Sequence, residues 1–484
     1  MLCLTETKWF PVIIFDLFTP PIFEQTTFNN RALRDRISAL DDAHAAIAPY
    51  AHHLRIVLAD HDDLRRFEQV CQVAECEPRP VRIAQVNVLA KNFFSRRELD
   101  RVQRWMDTMD WKSAFQIEAY LRCGLLNTHD LRTLQIPIEN VIHDYSTDAS
   151  ALLRLFALQL KIRQPDESPN DCLARVRTKH PTLKPLRLSP GLVSCHYVII
   201  TPSRILLEGP YVTQSNRVIR HYQNRDPALV ERFIRVEFRD EDRLYNRYGG
   251  NVDGSSFLHQ RVGGILRDGF TLVGRSFEFL AYSTSSLREH SFWFMTPFRD
   301  PEEGYVTAEK IRTSLGDFSR LLRTPSKYAA RMAQAFTATD PSVTINRYQW
   351  EEQPELGPHT DGVGTMSPKL AAMIWDAKCK GSDIRDRVEP SAYQFRFLGY
   401  KGVVVVDHRL DGIKMRLRES QCKFPALTDE VAEFEIARAF DYPNPAHLNR
   451  FVALCFLSIF HLTEIPKARG NGAGGSRSQE IGIY

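Results

Sequence analysis

The sequence predicts an α+β protein, a helix-rich N-terminal region followed by a β-rich half. Three observations carry that expectation. Between residues 95 and 162 apolar side chains recur at helical spacing. From 191 onward the pattern changes to short alternating runs punctuated by Gly, Pro and Asp turns. Between them, residues 163–190 are polar and carry Pro165, Pro169, Pro181, Pro185 and Pro190, the composition of a boundary. The chain has 484 residues, room for a large core. Its 43% apolar and 25% charged content is ordinary for a globular protein. A net charge of +4 gives no global field, so any nucleic-acid affinity must come from local patches.

Residues 1–30 read as extended, with Pro20-Pro21 as a stop. The apolar run 9–18 is interrupted by Pro11 and Asp16 and lacks a basic flank, so it reads as core rather than signal peptide. Residues 31–75 read as mostly helical with a strand-like interruption at 54–58, and a short strand is expected over 81–88. Helices follow over 95–109, 111–122, 125–134 and 149–162, the second ended by Gly124. The helix-rich, slab-like region therefore spans 1–165 and the Pro-rich linker 166–190. No run approaches the apolar length of a membrane span, so no membrane partner is expected. The nine cysteines are dispersed, with only Cys71 and Cys76 close together, which fits an intracellular, reducing compartment better than a zinc site. Nucleus and cytoplasm are not distinguished.

The β-rich region, 191–450, opens with strands over 194–201 and 204–208. Residues 233–239 alternate, with Ile234, Val236 and Phe238 on one side and Arg235, Glu237 and Arg239 on the other. A strand pair spans 270–281, and residues 286–290 form a polar link to Phe292-Trp293-Phe294. Residues 310–322 read as a helix. Thr324-Pro325 is an N-cap followed by Pro at the first helical position, starting a helix to about 337. On it Lys327 and Arg331 share a face, and Tyr328, Met332 and Phe336 form the apolar stripe. A last helix covers 368–380.

Residues 391–418 concentrate the charge. Tyr393, Phe395 and Phe397 fall on one strand face, Gln394 and Arg396 on the other. Gly399 and Gly402 bracket Tyr400-Lys401, where the backbone can bend or approach a ligand closely. Val403 to Val406 read as a strand buried on both faces. After the Asp411-Gly412 turn, Ile413, Met415 and Leu417 point inward and Lys414, Arg416 and Arg418 outward. Such a cation row repels itself unless an anion covers it, and a polyphosphate or nucleic-acid backbone is the natural candidate. The alternative is a solvated strand face.

Other signals are weaker. No Walker-type loop, Gly-x-Ser-x-Gly elbow or His-Glu-x-x-His pair is present. Gly362 and Gly364 precede a helix and can offer backbone N–H groups to a phosphate, or form an ordinary tight turn. Asp240-Glu241-Asp242 can hold Mg²⁺, but strand neighbours point to opposite faces and a strand-end charge cluster is the plainer reading. His290 and His359 read as satisfied polar residues, while Arg217 and Arg220, just after Asn216, make another cationic spot, for which the plainer reading is a helix surface.

Across 190–424 the chain resembles the eukaryotic cellular RNA-dependent RNA polymerases of RNA silencing, fungal members in particular. The resemblance rests on TPSRILLEGP (201–210), SNRVIRHY (215–222), FIRVEFRDED (233–242), LVGRSFEFLAYSTSSLREHSFWF (272–294), GDFSRLLRTPSKYAARMAQAFTAT (316–339), DGVGTMS (361–367), PSAYQFRFLGYKGVVVVD (390–407) and LDGIKMRLR (410–418), in family order. The segment WKSAFQIEAYLRCGLL (111–126) is also similar to the family.

The resemblance implies RNA-templated nucleotidyl transfer that makes double-stranded RNA for gene silencing and siRNA production. It implies two double-psi β-barrels facing across a cleft. One carries an Asp-x-Asp-Gly-Asp loop that holds Mg²⁺, and the other turns basic residues toward nucleotide phosphates and the RNA 3′ end. The 391–418 stretch matches the basic barrel. Lys401 then takes the phosphate and 3′-end contact, with Arg396, Lys414, Arg416, Arg418, Lys327 and Arg331 as RNA- or nucleotide-binding residues. The implied partners are a single-stranded RNA template and nucleoside triphosphates, with other silencing proteins and a second copy as further candidates. The Asp-x-Asp-Gly-Asp loop is absent from these residues. Mg²⁺ is therefore expected for a full-length enzyme and no metal set in this chain. The expectation is one double-psi barrel without its catalytic counterpart, inactive alone, with an apolar surface where the second barrel docks. Residues 451–484 do not resemble the family and read as a disordered tail. The alternative is a non-enzymatic RNA-binding or regulatory fragment that pairs with a separate catalytic chain.

Overall fold

The computed structural model describes residues 2–6, 11–16, 23–26, 34–37, 48–50, 52–73, 79–80 and 96–440, apart from 165–166, 184–185, 187, 203, 246–251, 255–256, 358–359, 381–387 and 428–429. The strand expected over 81–88, Cys76, His359 and the tail 451–484 lie outside the described residues. The N-terminal elements are strands β1 (Leu2–Glu6), β2 (Pro11–Asp16), β3 (Phe23–Thr26), β4 (Arg34–Ile37), β5 (His53–Val57) and β6 (Arg79–Pro80), with helix α1 (His61–Val73). They form a sheet in the order β5-β2-β1-β6 and an antiparallel β3–β4 pair. The mostly helical reading of 31–75 is thus corrected at Arg34–Ile37, where ladder pairing decides a segment of weak helical period.

Five helices follow: α2 (Arg96–Met106), α3 (Trp111–Arg122), α4 (Thr128–Tyr145), α5 (Ala149–Lys161) and α6 (Pro169–Lys179). Their starts are set by side-chain caps. Asp110 accepts from the Ser113 N–H, Asn127 and Asp130 form a capping box, and Ser168 accepts from the Asp171 N–H ahead of Pro169. Ile117, Tyr120, Leu131, Ile138, Leu152 and Phe156 make their common core. Helix α6 lies inside the Pro-rich 166–190 stretch and adds Cys172, Leu173 and Val176 to that core. The stretch is therefore a packed helix with polar flanks rather than an extended linker. Pro169 starts the helix instead of breaking it because it occupies the first turn.

Next come β7 (Leu192–Ile200), β8 (Ile205–Gln214), α7 (Arg217–Arg225), β9 (Phe233–Phe238), β10 (Val252–Asp253), α8 (Gly263–Asp268), β11 (Phe270–Leu272), β12 (Arg275–Ala281), α9 (Thr284–Arg288) and β13 (Ser291–Met295). A short hairpin, β14 (Phe298–Asp300) and β15 (Gly304–Val306), leads to α10 (Ala308–Ser314) and α11 (Pro325–Ala335). Six of the strands form one sheet, β11-β12-β13-β9-β7-β8. One face buries Ile234, Val236, Phe238 and Phe294 against Trp111 and Phe115 of α3, so the helical region and this sheet share a core. The other face buries Phe233, Trp293 and Met295 with Val218, Met332 and Phe336. The helix expected over 310–322 ends early. Gly316 sits where a Cβ would lie 2.6 Å from the Phe424 ring, and only a 3₁₀ turn, Ser319–Leu321, follows. The 286–290 link is instead the end of α9, held by a Ser283/Ser286 capping box.

The final unit comprises β16 (Asp340–Asn346), β17 (Trp350–Gln353), β18 (Val363–Met366), α12 (Pro368–Cys379), β19 (Ala392–Phe397), β20 (Tyr400–Val406), β21 (Met415–Arg418) and β22 (Val431–Ala439). Its seven strands are ordered β16-β22-β19-β20-β18-β21-β17. The two edge strands are consecutive in sequence, joined only by Arg347–Gln349. A flat sheet of this width separates its edges by roughly 29 Å at about 4.8 Å per strand. Three linking residues reach about 14 Å. The sheet therefore curls on itself, and the Trp350 ring of β17 lies 5.6 Å from both Phe397 and Tyr400, several strands away in the ladder. Inside the curl are Tyr393, Phe395, Phe397, Val404, Met415, Leu417 and Phe434, capped by Leu370 and Ile374 of α12. Phe395 stacks on Phe434 at 5.4 Å. Of the four valines only Val404 is fully buried; Val403 and Val405 sit on the outer face by strand alternation, which corrects the reading of burial on both faces.

Two expectations follow. Phe395→Ala removes a fully buried ring and costs about 3–5 kcal/mol, read as a lower urea midpoint with an unchanged slope. Gly402→Ala is also destabilising, because its Cβ would meet the Gly362 carbonyl oxygen at 2.3 Å, and a wild-type midpoint for it would contradict the packing described.

Candidate functional site

The outer face of the curled sheet carries a cross-strand row. Lys401 on β20 is in register with Arg396 on β19, and Arg396 with Glu435 on β22. Paired residues point to the same side of a sheet, so the three side chains stand next to one another. Val363, Val403 and Val405 continue this face toward Arg416.

The electrostatics around Lys401 are unusual. Partial burial holds its ammonium below the ordinary lysine pKa, and Arg396, Arg331 and Lys423 add repulsion in that order. Arg331 comes from α11, and Lys423 from the segment after the 3₁₀ turn Glu419–Gln421. The Lys423 N–H donates to the Gly399 carbonyl at 3.0 Å, tying that segment to the start of β20. Burial likewise lowers the Arg396 pKa against the pull of Glu435. Arg396 donates one N–H to the Phe395 carbonyl at 2.8 Å, while its buried Nε has no partner. Among the described residues Lys401 makes no ion pair.

Glu435 is fixed from the other side. Arg220 of α7 donates to it at 3.0 Å, the Thr339 hydroxyl donates at 2.6 Å, and Arg217 approaches to 3.8 Å. Arg220 also donates to the Thr339 carbonyl at 2.5 Å. Arg220 is therefore an internal clamp rather than the helix surface expected of it.

The remaining candidates separate. Lys327 is exposed, one turn before Arg331 on α11. Lys414 is exposed, and its backbone is held by Ser367, the N-cap of α12. Arg416 pairs with Glu351 at 2.7 Å. Arg418 is buried and donates to the Pro354 carbonyl at 2.6 Å. The expected row of three outward cations is thus corrected. The strand begins only at Met415, and β17 runs parallel beside it, bringing Glu351 and Gln353 opposite Arg416 and Arg418. Gly362 and Gly364 form no phosphate loop. Gly364 is within β18, where a Cβ would lie 2.4 Å from the Arg416 carbonyl oxygen, and the α12 N-terminus is capped by the Ser367 hydroxyl. Gly402 likewise serves close backbone packing. Asp240 and Asp242 accept from the nearby Glu241 and Leu244 N–H groups, and Glu241 pairs with Arg204 at 3.0 Å. Among the described residues no group of His, Cys, Asp and Glu can hold a metal ion.

Sequence reasoning missed Lys423 and Glu435. Glu433 and Glu435 alternate with Phe434 and Ile436, a strand pattern that was legible. Nothing local marks Lys423, whose place depends on the chain returning past Gly399.

The family described as RNA dependent RNA polymerase matches residues 200–458. RNA-dependent RNA polymerase 1 of Arabidopsis thaliana is 35% identical over 285 residues, covering 56% of this chain and 24% of that protein. RNA-dependent RNA polymerase 1 of Schizosaccharomyces pombe is 33% identical over 263 residues, covering 52% and 20%. The solved RNA dependent RNA polymerase QDE-1 from Thielavia terrestris aligns with a TM-score of 0.39 at 20% identity, over 61% of this chain and 32% of that one. The chain thus spans about a quarter of the length of the first of these relatives.

Two stability measurements probe the row. Lys401→Met raises the thermal midpoint, because it removes a charge that the fold disfavours. The folded pKa lies below the unfolded value, so this gain is largest below the folded pKa, fades as pH rises through it and is gone above the unfolded value of roughly 10. Arg220→Ala leaves Glu435 buried with its main partner gone and costs about 3–5 kcal/mol.

Proposed function

Because this chain belongs to the RNA-dependent RNA polymerase family, we propose that its cation cluster is a phosphate-binding wall for RNA and nucleotides in RNA-templated RNA synthesis. The carrying observation is Lys401, repelled by three cations and without a carboxylate partner among the described residues. Cations held together at a cost to the fold are stabilised when an anion sits over them. Lys401 supplies a point charge, and Arg396 and Arg331 supply planar donors suited to phosphate oxygens. Lys423 joins them, and Lys327 extends the patch along α11. Arg416, half engaged by Glu351, is a peripheral contact. Arg418 is structural.

In this reading the curled sheet is one double-psi β-barrel, and the product is double-stranded RNA for silencing. The region from 191 to 450 is the polymerase portion, and the helical region before it is its support. The metal-dependent part of phosphoryl transfer needs clustered carboxylates. The described carboxylates do not fit that task, since those at 240–242 are spent on local partners. No catalytic step is therefore assigned to Mg²⁺ on these residues. Their part is to bind and orient phosphates. Among the described residues no helix is long and apolar enough to cross a membrane.

The test is RNA affinity as a function of salt. Lys401→Ala weakens single-stranded RNA binding about tenfold and lowers the salt slope by about one. Arg418→Ala lowers stability by about 1–3 kcal/mol and leaves the salt slope alone. Unchanged affinity and slope in Lys401→Ala would overturn the reading. In a second assay, with labelled nucleotides, template and Mg²⁺, the 484-residue chain alone yields no template-dependent product; robust product would mean that a metal site has been missed.

A further inference from the structure

We propose that the cavity between α7, α10 and the β19–β20 turn is a second site, one that binds a 5′-phosphorylated nucleoside carrying an exocyclic amine on its base. The cavity measures about 320 Å³, the low end of the range for small-ligand sites, and lies where the six-stranded sheet unit meets the curled sheet. Its walls are aliphatic, with Val218 from α7, Ile311 and Leu315 from the end of α10, and Leu398 from the turn. Such walls suit the flat faces of a base.

The polar groups fix the rest. Arg217 stands at the cavity with 31% of its side chain exposed, and it reaches Glu435 only at 3.8 Å. Glu435 already takes closer bonds from Arg220 and Thr339, at 3.0 and 2.6 Å. The Arg217 guanidinium therefore keeps donors for a phosphate. The hydroxyl of Tyr222 donates to Glu303 at 3.1 Å, and that of Ser314 donates to the Ile311 carbonyl at 2.8 Å. Each has used its proton and retains acceptor lone pairs, Tyr222 in the buried part of the lining and Ser314 at its exposed rim, so the lining asks for a donor from the ligand. Adenine, cytosine and guanine present one as an exocyclic amine; uracil carries no such amine and has its ring N3–H as the base donor. Glu303, engaged by His221 at 2.8 Å and Arg225 at 3.1 Å, keeps a carboxylate on the lining and so directs the phosphate toward the Arg217 end. The inference rests on this cavity and not on the proposed polymerase role. Its ligand is either a free mononucleotide or the 5′-terminal nucleotide of an RNA.

Calorimetric titration of the full chain tests it. AMP and CMP are expected to bind about tenfold more tightly than UMP, and Arg217→Ala to reduce AMP affinity about tenfold, to that of adenosine. Ala426→Phe, which fills the cavity from a separate loop, is expected to abolish binding of both AMP and adenosine. Every titration is run in a Lys401→Ala background, which removes the phosphate contact of the proposed wall, so the heat read is that of the cavity. A 5′-phosphorylated oligonucleotide that outbinds its unphosphorylated twin only when Arg217 is present identifies the RNA end as the source; equal binding of the twins identifies the free nucleotide. Melting curves accompany each variant. In that background, AMP binding that survives Ala426→Phe in a folded protein overturns the proposal, as does no AMP binding at millimolar ligand.

Discussion

The contact between Arg220 and Glu435 joins residues 215 positions apart and holds helix α7 onto the curled sheet. Both side chains are buried, so the pair is stable only because its geometry and its extra hydrogen bonds to Thr339 offset the desolvation of both charges. Glu435 also stands beside Arg396, which stands beside Lys401. One buried carboxylate therefore does two things: it locks α7 onto the curled sheet, and it anchors one end of a charge row whose other end is open. The excess positive charge accumulates at that open end.

The chemistry of the cation wall follows from that imbalance. Arg396, Lys401, Arg331 and Lys423 arrive from three separate segments; the Glu435 carboxylate acts on Arg396, whereas Lys401 faces the other three cations. Burial and mutual repulsion both disfavour charge at Lys401, a cost that hydrophobic packing beneath the sheet sustains. Tyr393, Phe395 and Phe397 lie on the inner face of the same strand that presents Arg396 outward. Strand alternation thus ties a well-packed interior directly to a strained exterior, the usual arrangement where a protein trades stability for a site.

Close backbone approach is the second constraint. Gly364 and Gly402 lie where a Cβ would collide with the carbonyl oxygens of Arg416 and Gly362, so β18, β20 and the neighbouring chain can crowd around Gln421. The Gln421 amide then donates to the carbonyls of Gly362 and Val403 and accepts from the Arg418 N–H. These glycines read locally as ligand loops. They are occupied by the protein's own backbone instead.

By itself the sequence determined the alternation of β19, the inward aromatics, the position of Lys401 between two glycines, helices such as Trp111–Arg122, and family membership through many short motifs. These are local properties, set by periodicity, caps and residue type over a few positions. Only the tertiary structure decided which cations share a site. Arg418 and Lys401 look alike in sequence, yet one is buried and donates to the Pro354 carbonyl while the other faces three like charges. Lys423 and Arg331 enter through chain return and helix docking, and Arg220 leaves the list of surface residues because Glu435 lies across from it. Charge balance depends on distances between segments far apart in the chain, and no local pattern carries those distances.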